Sequence, residues 1–376
     1  MKILYVTDAL AIWGGMERIL VEKANYLAEH YNFDVYIVTT EQGNHAVPYT
    51  LSSKVTHVDL GINYYQQYRY KGFRRLVKNY QNHCKYRSCL RQQIAKNCPD
   101  VIVIMRMNLV GDVIKVKRKI PIIVESHTSC NIYIYEKFQL YRKIQYLWYV
   151  HHTSKADAVI ALTKGDAIEW SNRNSHVICI PNIVNLNTSG RYSAQESKSA
   201  IFVGRLAKQK DLGSLLQIWA IVNMKHPDWI LEVYGEGEDE VFFRKRISEK
   251  KLNVVVHNPT SYIHDKYIES SFLLLTSLFE PFGLVMPEAM SCGLPVVAFD
   301  CPYGPSEIIT DGIDGFLVKE RDVTEFANKV CFLIEDKNQR IEMGKNAILS
   351  SHRYHEDMIM PKWKVLFENI SKDSSR

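Results

Sequence analysis

Short apolar runs recur along the whole chain, and segments with helical spacing separate them. The first half contains six such runs: Ile3–Thr7, Phe33–Thr40, Val101–Ile104, Pro121–Val124, Ala158–Ala161 and Val177–Ile180. Their length and β-branched content predict strands. Between the first two, Glu17–Glu29 places Ile19, Leu20, Ala24, Leu27 and Ala28 near helical spacing. The alternation restarts after Asn182. Asn185–Lys198 is polar, short of large apolar side chains, and reads as a linker. Six further strands are predicted at Ala200–Val203, Ile230–Tyr234, Asn253–His257, Phe272–Leu275, Pro295–Phe299 and Phe316–Val318. Apolar strands alternating with helices indicate parallel sheets covered on both faces. The expected organisation is therefore two α/β domains, 1–184 and 185–352, facing each other across a cleft. A last helix is expected over His355–Ile370, within 353–376. In open α/β sheets ligands bind beyond the carboxyl ends of the strands, so the loops after strands hold the candidate chemistry.

A chain of 376 residues is long for one core, which agrees with two domains. No apolar run approaches the roughly 20 residues that span a bilayer. The first apolar stretch is cut at Asp8, so it reads as a strand and not a signal peptide. The cysteines show neither a C-x-x-C pair nor zinc spacing, so reduced thiols in a cytoplasmic protein are expected. The charge is uneven. Up to Asn185 there are 24 Lys and Arg against 14 Asp and Glu; beyond it, 23 against 27. Gly61–Pro99 holds nine basic residues and no acid: Arg69, Lys71, Arg74, Arg75, Lys78, Lys85, Arg87, Arg91 and Lys96. Tyr64, Tyr65, Tyr68, Tyr70, Phe73, Tyr80 and Tyr86 are mixed among them. Such a stretch is either a solvated helix face or a surface for an anionic membrane. No recognition motif accompanies the charge, so a nucleic-acid partner is not expected.

Three segments carry candidate chemistry. Trp13-Gly14-Gly15-Met16-Glu17 follows the first strand and opens a helix, where glycine lets backbone approach a ligand and helix N–H groups suit an anion. Gly204-Arg205-Leu206, with Lys208 and Lys210, follows the first strand of the second half. There a planar guanidinium and a mobile ammonium can converge on one diphosphate. Thr276–Met290 contains Glu280 and Glu288, separated by Pro281-Phe282-Gly283-Leu284-Val285-Met286-Pro287. Pro287 suits the first turn of a short helix, with Glu288 near its start. Each segment taken alone has an ordinary structural reading as a turn, a pair of solvated cations, or a helix cap.

The spacing Glu280-x7-Glu288 resembles the E-x7-E motif of retaining glycosyltransferases of the two-domain GT-B fold. Its surroundings, with Gly14-Gly15-Met16-Glu17, Pro181-Asn182, Gly204-Arg205-Leu206, Lys210 and Gly235-Glu236-Gly237, resemble glycosyltransferase family 4. The likeness runs from the first strand to about residue 320. It implies two Rossmann-like doubly wound domains, with the C-terminal helix crossing back to the first. Arg205 and Lys210 would hold a donor diphosphate, helped by Gly14, Gly15, Gly204, Phe282 and the amides of Gly283, Leu284 and Val285. Glu288 would bind the ribose and Glu280 the transferred sugar. Pro259 joins the donor-binding set, and His127 matches a strand-end histidine facing the reaction centre. Arg205, Lys210, Glu280 and His127 form the implied catalytic set. Cys301-Pro302-Tyr303-Gly304-Pro305-Ser306-Glu307-Ile308 resembles a stretch of members that use UDP-sugars to build bacterial surface glycans. This chain departs from the family at Asp211, where Gly commonly follows the diphosphate lysine.

The resemblance implies front-face transfer with retention, from a UDP-sugar to a glycan or polyprenyl-linked saccharide. No D-x-D pair occurs, so neither metal nor cofactor is expected. Two rivals stand: a nucleotide-sugar epimerase of similar fold, and a catalytically inert membrane- or glycan-binding protein. The basic, aromatic stretch Tyr133–His152 reads as a core helix with cleft lining or as a second membrane-facing segment. The latter would place the protein peripherally on the cytoplasmic membrane.

Overall fold

The computed structural model describes residues 1–11, 14–132, 140–187, 189–319 and 321–373. Trp13, Thr188, and Tyr133, Tyr135 and Phe138 lie outside the described residues. The chain divides into two compact units, Met1–Ile183 with Ile359–Arg376, and Val184–Met358.

The first unit is built on β1 (Lys2–Thr7), β2 (Asp34–Thr39), β3 (Val55–Asp59), β4 (Val101–Ile104), β5 (Ile122–Ser126), β6 (Ala158–Ala161) and β7 (Val177–Cys179). They form one sheet in the order β3-β2-β1-β4-β5-β6-β7, and every pairing is parallel. Ile3–Val6, Val101–Ile104, Ile122–Val124 and Ala158–Ala161 are fully buried, because helices cover both faces. The helix Gly15–His30 buries Ile19, Leu20, Ala24, Leu27 and Ala28, the stripe expected from spacing.

The second unit repeats the plan with β8 (Ser199–Val203), β9 (Ile230–Tyr234), β10 (Val254–His257), β11 (Phe272–Leu275), β12 (Val296–Phe299) and β13 (Gly315–Val318). Their order is β10-β9-β8-β11-β12-β13, again all parallel. Leu215, Ile218, Trp219 and Val222 from the helix Leu212–Lys225 pack with Phe326, Val330 and Leu333 from Val323–Glu335. Together they enclose Phe202, Val233, Leu274, Val297 and Phe299 of the sheet. Each such side chain, fully buried, contributes roughly 1.5–3 kcal/mol.

All twelve expected strands are present, with ends displaced by at most two residues. β3 is the addition. Its sequence, Val55-Thr56-His57-Val58-Asp59, is half polar because it is an edge strand with one residue buried. The stretch expected as a linker is bound down. Asn187 N–H donates to Ser291 Oγ at 3.0 Å, Ser193 N–H to the Cys292 carbonyl at 2.9 Å, and Gln195 Nε2 to the Gly293 carbonyl. Its polarity serves these bonds and not mobility. The last helix, Glu356–Asp373, buries Ile359, Met360, Trp363 and Phe367, and the chain belongs to the first unit again from Ile359.

Parallel strands deliver their following loops to one edge of the sheet. The order reverses direction between β1 and β4, and between β8 and β11, so two neighbouring loops diverge there and leave a ligand crevice. In the second unit the loop after β9 is pressed against the loop after β8. Gly204 N–H donates to the Tyr234 carbonyl at 3.0 Å and Leu206 N–H to the Glu236 carbonyl at 2.8 Å. A Cβ on Gly235 would stand 1.9 Å from the Gly204 carbonyl oxygen. Because the obstacle is backbone, Gly235→Ala is expected to lower stability by on the order of 1–3 kcal/mol, seen as a lower thermal midpoint. An unchanged midpoint would mean that the two loops are not in this contact.

Candidate active site

Four of the residues singled out from sequence lie on the loops that diverge at the switch point of the second unit or on the helix that follows. Arg205 stands just after β8 and is exposed, with Nη2 3.0 Å from Glu238 of the β9 loop. Lys210 ends a short helical turn, Lys208–Lys210. Its side chain lies over Gly204, where an added Cβ would meet Lys210 Cε at 3.1 Å. Lys210 Nζ reaches Glu280 Oε2 at 2.6 Å, and Ser277 Oγ donates to the same oxygen at 2.9 Å. Both side chains of the ion pair are close to nine-tenths buried.

The two loops are joined along their length. Thr276 Oγ1 donates to the Lys210 carbonyl at 2.8 Å, Leu278 N–H to the Gln209 carbonyl at 2.7 Å, and Gln209 Nε2 to the Phe279 carbonyl at 3.0 Å. Asp211, the departure from the family pattern, takes the left-handed conformation at φ 46° that glycine would adopt most easily. Its carboxylate offsets that strain. It caps the helix Leu212–Lys225 through Ser214 N–H, accepts from Ser214 Oγ at 2.6 Å, and is ion-paired with Arg321. The substitution therefore keeps the turn that carries Lys210.

Glu288 is the fourth residue of the helix Val285–Ser291, one position deeper than Pro287 in the first turn. It is buried, and Tyr267 Oη stands 3.5 Å from its Oε2. Gly283, at φ 90°, makes the reversal between the two glutamates. A Cβ there would meet Met286 Cε at 2.5 Å and Glu280 Cγ at 2.8 Å. Phe282 is buried edge-on against Tyr354, Leu284 caps the helix, and Val285 opens it. Pro259 is exposed on the loop after β10, at the same edge of the sheet. Among the described residues no hydrogen bond or ion pair joins it to the other four.

In the first unit, Gly14 precedes the helix Gly15–His30, and its carbonyl accepts from Tyr49 Oη at 3.1 Å. Arg106, after β4, bridges Glu17 at 3.2 Å and Asp8, after β1, at 3.5 Å, so a salt bridge spans the switch point here too. Burial pushes the Asp8 carboxyl up, against the pull of the Arg106 guanidinium and Asn108. His127 follows β5, one-tenth exposed, with Nε2 3.3 Å from Glu125 Oε2. Glu125 is fully buried and ion-paired with Lys23. Burial alone would raise its carboxyl. The Lys23 ammonium and His127 outweigh that and hold it below the usual value. Arg106 and Lys23 were not singled out from sequence. Their partners lie far along the chain, and a lysine inside an amphipathic helix gives no sign of burial.

A pair of doubly wound parallel sheets of this order is the GT-B architecture. The chain belongs to the glycosyltransferases of that fold: residues 13–188 match the Glycosyltransferase Family 4 domain and residues 190–350 the domain of Glycosyl transferases group 1. It is 27% identical over 359 residues to an uncharacterized glycosyltransferase of Haemophilus influenzae, covering 93% of this chain and 95% of that protein. It is also 27% identical to the amylovoran biosynthesis glycosyltransferase AmsD of Erwinia amylovora, over 96% of this chain and 98% of AmsD. The structure of an S. aureus TarM variant with fondaparinux, alpha-GlcNAc-glycerol and UDP is similar at a TM-score of 0.80. The two are 17% identical, over 97% of this chain and 99% of TarM.

The loop that carries His127 rests on a buried carboxylate. Asp166 accepts from Ser126 Oγ and from Cys130 N–H, both at 3.1 Å, while Trp170 Nε1 donates to Ser126 Oγ at 2.9 Å. Burial raises the Asp166 carboxyl from 3.8 to about 7, with the hydrogen bonds opposing it. The folded protein then holds a proton that the unfolded chain releases, so stability falls as pH rises from 3.8 to about 7 and levels off above. Asp166→Asn, which keeps an acceptor for Cys130, is expected to flatten this slope. Denaturant unfolding at several pH values measures it, and an unaltered slope in the variant would remove Asp166 as its source.

Proposed function

We propose that this protein is a retaining glycosyltransferase that moves a sugar from a UDP-sugar to a glycan or lipid-linked acceptor in surface polysaccharide synthesis. The observation that carries the reading is the Lys210–Glu280 pair at the switch point, with Arg205 on the same loop as Lys210. Breaking the anomeric C–O bond leaves positive charge on the sugar and negative charge on the departing diphosphate. Arg205 and Lys210 stabilise the diphosphate by fixed positive charge in a partly water-excluded place, without needing a metal. Glu280, released from part of its hold on Lys210, accepts from hydroxyls of the transferred sugar. Glu288 accepts from the ribose and the amides of Gly283–Val285 face phosphate oxygens; in the first unit, Gly15 and His127 are the residues proposed to take part in the reaction. The UDP of the TarM complex and the polysaccharide named for AmsD support the choice of donor and pathway class. Retention follows from front-face attack, the leaving phosphate taking the acceptor's proton.

Arg205→Ala and Lys210→Ala are each expected to lower turnover at least about 100-fold while the protein stays folded. Donor thermal-shift screening against UDP-sugars identifies the substrate first, and steady-state rates follow. A loss below about 5-fold at saturating donor counts against the assignment.

The acceptor side is proposed to meet an anionic membrane. Among the described residues no helix is long and apolar enough to cross one. The first unit instead exposes Tyr68, Phe73, Leu76 and Tyr80 beside Arg74, Arg75 and Lys78, and Arg75 lies over the Tyr68 ring at 4.5 Å. The helix Leu140–Thr153 adds exposed Tyr141, Ile144 and Trp148, and it packs on Met107–Ile114, as does the helix Gly72–Asn97 that carries Phe73–Tyr80. Sedimentation with phosphatidylglycerol vesicles is expected at low salt and lost as salt rises. Phe73→Glu with Tyr80→Glu weakens it. No sedimentation at low salt refutes the surface.

A further inference from the structure

Behind His127 lies a charged cluster that the transfer chemistry leaves unused. Glu125, the fourth residue of β5, has no exposed surface. Its Oε2 faces Lys23 Nζ and, at 3.3 Å, His127 Nε2; neither that ring nitrogen nor the other oxygen, Oε1, makes a hydrogen bond among the described residues. Lys23, on the inward face of the helix Gly15–His30, is itself fully buried. Its ammonium lies 4.2 Å from the ring of Trp363, from the last helix, and 5.9 Å from that of Tyr5 in β1. One helix and two strands, together with a helix from the far end of the sequence, thus enclose one ion pair that touches one histidine.

Stability does not account for this arrangement. Taking both charges out of water costs several kcal/mol per ion, and apolar side chains of similar volume often replace a buried pair with no loss. A fixed negative charge at a ring nitrogen has a definite consequence instead. It keeps the proton on that nitrogen and leaves the other as the acceptor. We propose that the Lys23–Glu125 pair is a positioning device for His127. The Glu125 charge, 3.3 Å from Nε2, favours the proton on that nitrogen, Lys23 keeps the Glu125 carboxylate ionised and oriented, and Nδ1 is left as the acceptor for groups entering the site. Trp363 closes the cluster from behind. The assignment of His127 to the reaction centre rests on the transferase reading; the positioning itself does not.

The test is the ring 15N spectrum of His127 in the full chain at neutral pH, assigned by its disappearance in His127→Asn. The expected wild-type signature is a protonated Nε2 and an unprotonated Nδ1. The double variant Lys23→Met, Glu125→Leu removes both charges at similar volume. It is expected to fold and to lose that signature, the ring exchanging between tautomers. Glu125→Asp keeps the charge beside Lys23 but withdraws it from the ring by one methylene, and is expected to do the same should the double variant not fold. A wild-type ring protonated on Nδ1, on both nitrogens, or unchanged in the folded variants overturns the proposal. Donor turnover separates the two readings. If the signature behaves as expected but His127→Asn leaves turnover intact, the positioning stands and the role of His127 in the reaction falls.

Discussion

The ion pair between Lys210 and Glu280 sets the terms for the second unit. Two opposite charges 2.6 Å apart, each mostly shielded from water, attract far more strongly than they would on the surface. Neither can be left without a partner. The surrounding structure answers that requirement. Gln209, Thr276 and Leu278 bind the two loops together, so that the charges cannot drift apart. Asp211 holds the turn on which Lys210 sits, and Arg321, also bonded to the Ser277 carbonyl, fixes Asp211 in turn. Gly204 leaves room for the lysine stem, and Gly283 turns the chain away from Glu280. Under the proposed function, a diphosphate entering here would exchange one anionic partner of Lys210 for another, which costs less than stripping water from a bare ammonium.

Much of this could be read from sequence because parallel α/β sheets write themselves plainly. A strand buried on both faces is an apolar run, as at Val101–Ile104 and Phe272–Leu275, and its following loop must emerge at the carboxyl edge. The glutamates, Arg205 and Lys210 could therefore be placed at one end of one sheet before any coordinates. What stayed hidden depended on distance along the chain or on edges. β3 lacks the apolar signature because only Val55 is covered. Lys23 and Glu125 are 102 positions apart, and nothing local to either announces the other. The connecting stretch is irregular, as expected, but its anchoring was hidden for a related reason. Ser193 Oγ donates to the Ser270 carbonyl and Gln195 Nε2 to the Gly293 carbonyl, and such bonds leave no pattern in sequence.

The basic, aromatic stretch had two readings, and burial separates it into two parts. In the helix Gly72–Asn97 the buried residues are Asn82, Tyr86, Leu90, Ile94 and Asn97, all in its second part. That part is an ordinary amphipathic helix against the sheet, and Tyr64 and Tyr86 belong to its packing. The first part buries nothing, yet it carries Phe73, Leu76 and Tyr80. A merely solvated face would not be expected to expose three large apolar side chains within eight positions, interleaved with cations and without a single acid.

The two units each place a lysine–glutamate pair near the carboxyl edge of a sheet, and the contrast between them separates positioning from binding. Lys23 and Glu125 have side-chain exposures of 2% and 0%, and Trp363 lies directly over the ammonium. No ligand reaches them without unpacking the last helix, so their charges can act only through His127. Lys210 and Glu280 stand at 12% and 10%, on loops with no such cover from their own unit, beside an Arg205 three-quarters exposed. Polar groups at that depth can exchange partners with an incoming anion. The same two side-chain types are thus set apart by about a tenth of their accessible surface. One pair is sealed, as the proposed positioning of a ring requires; the other is open to the degree that the proposed binding requires.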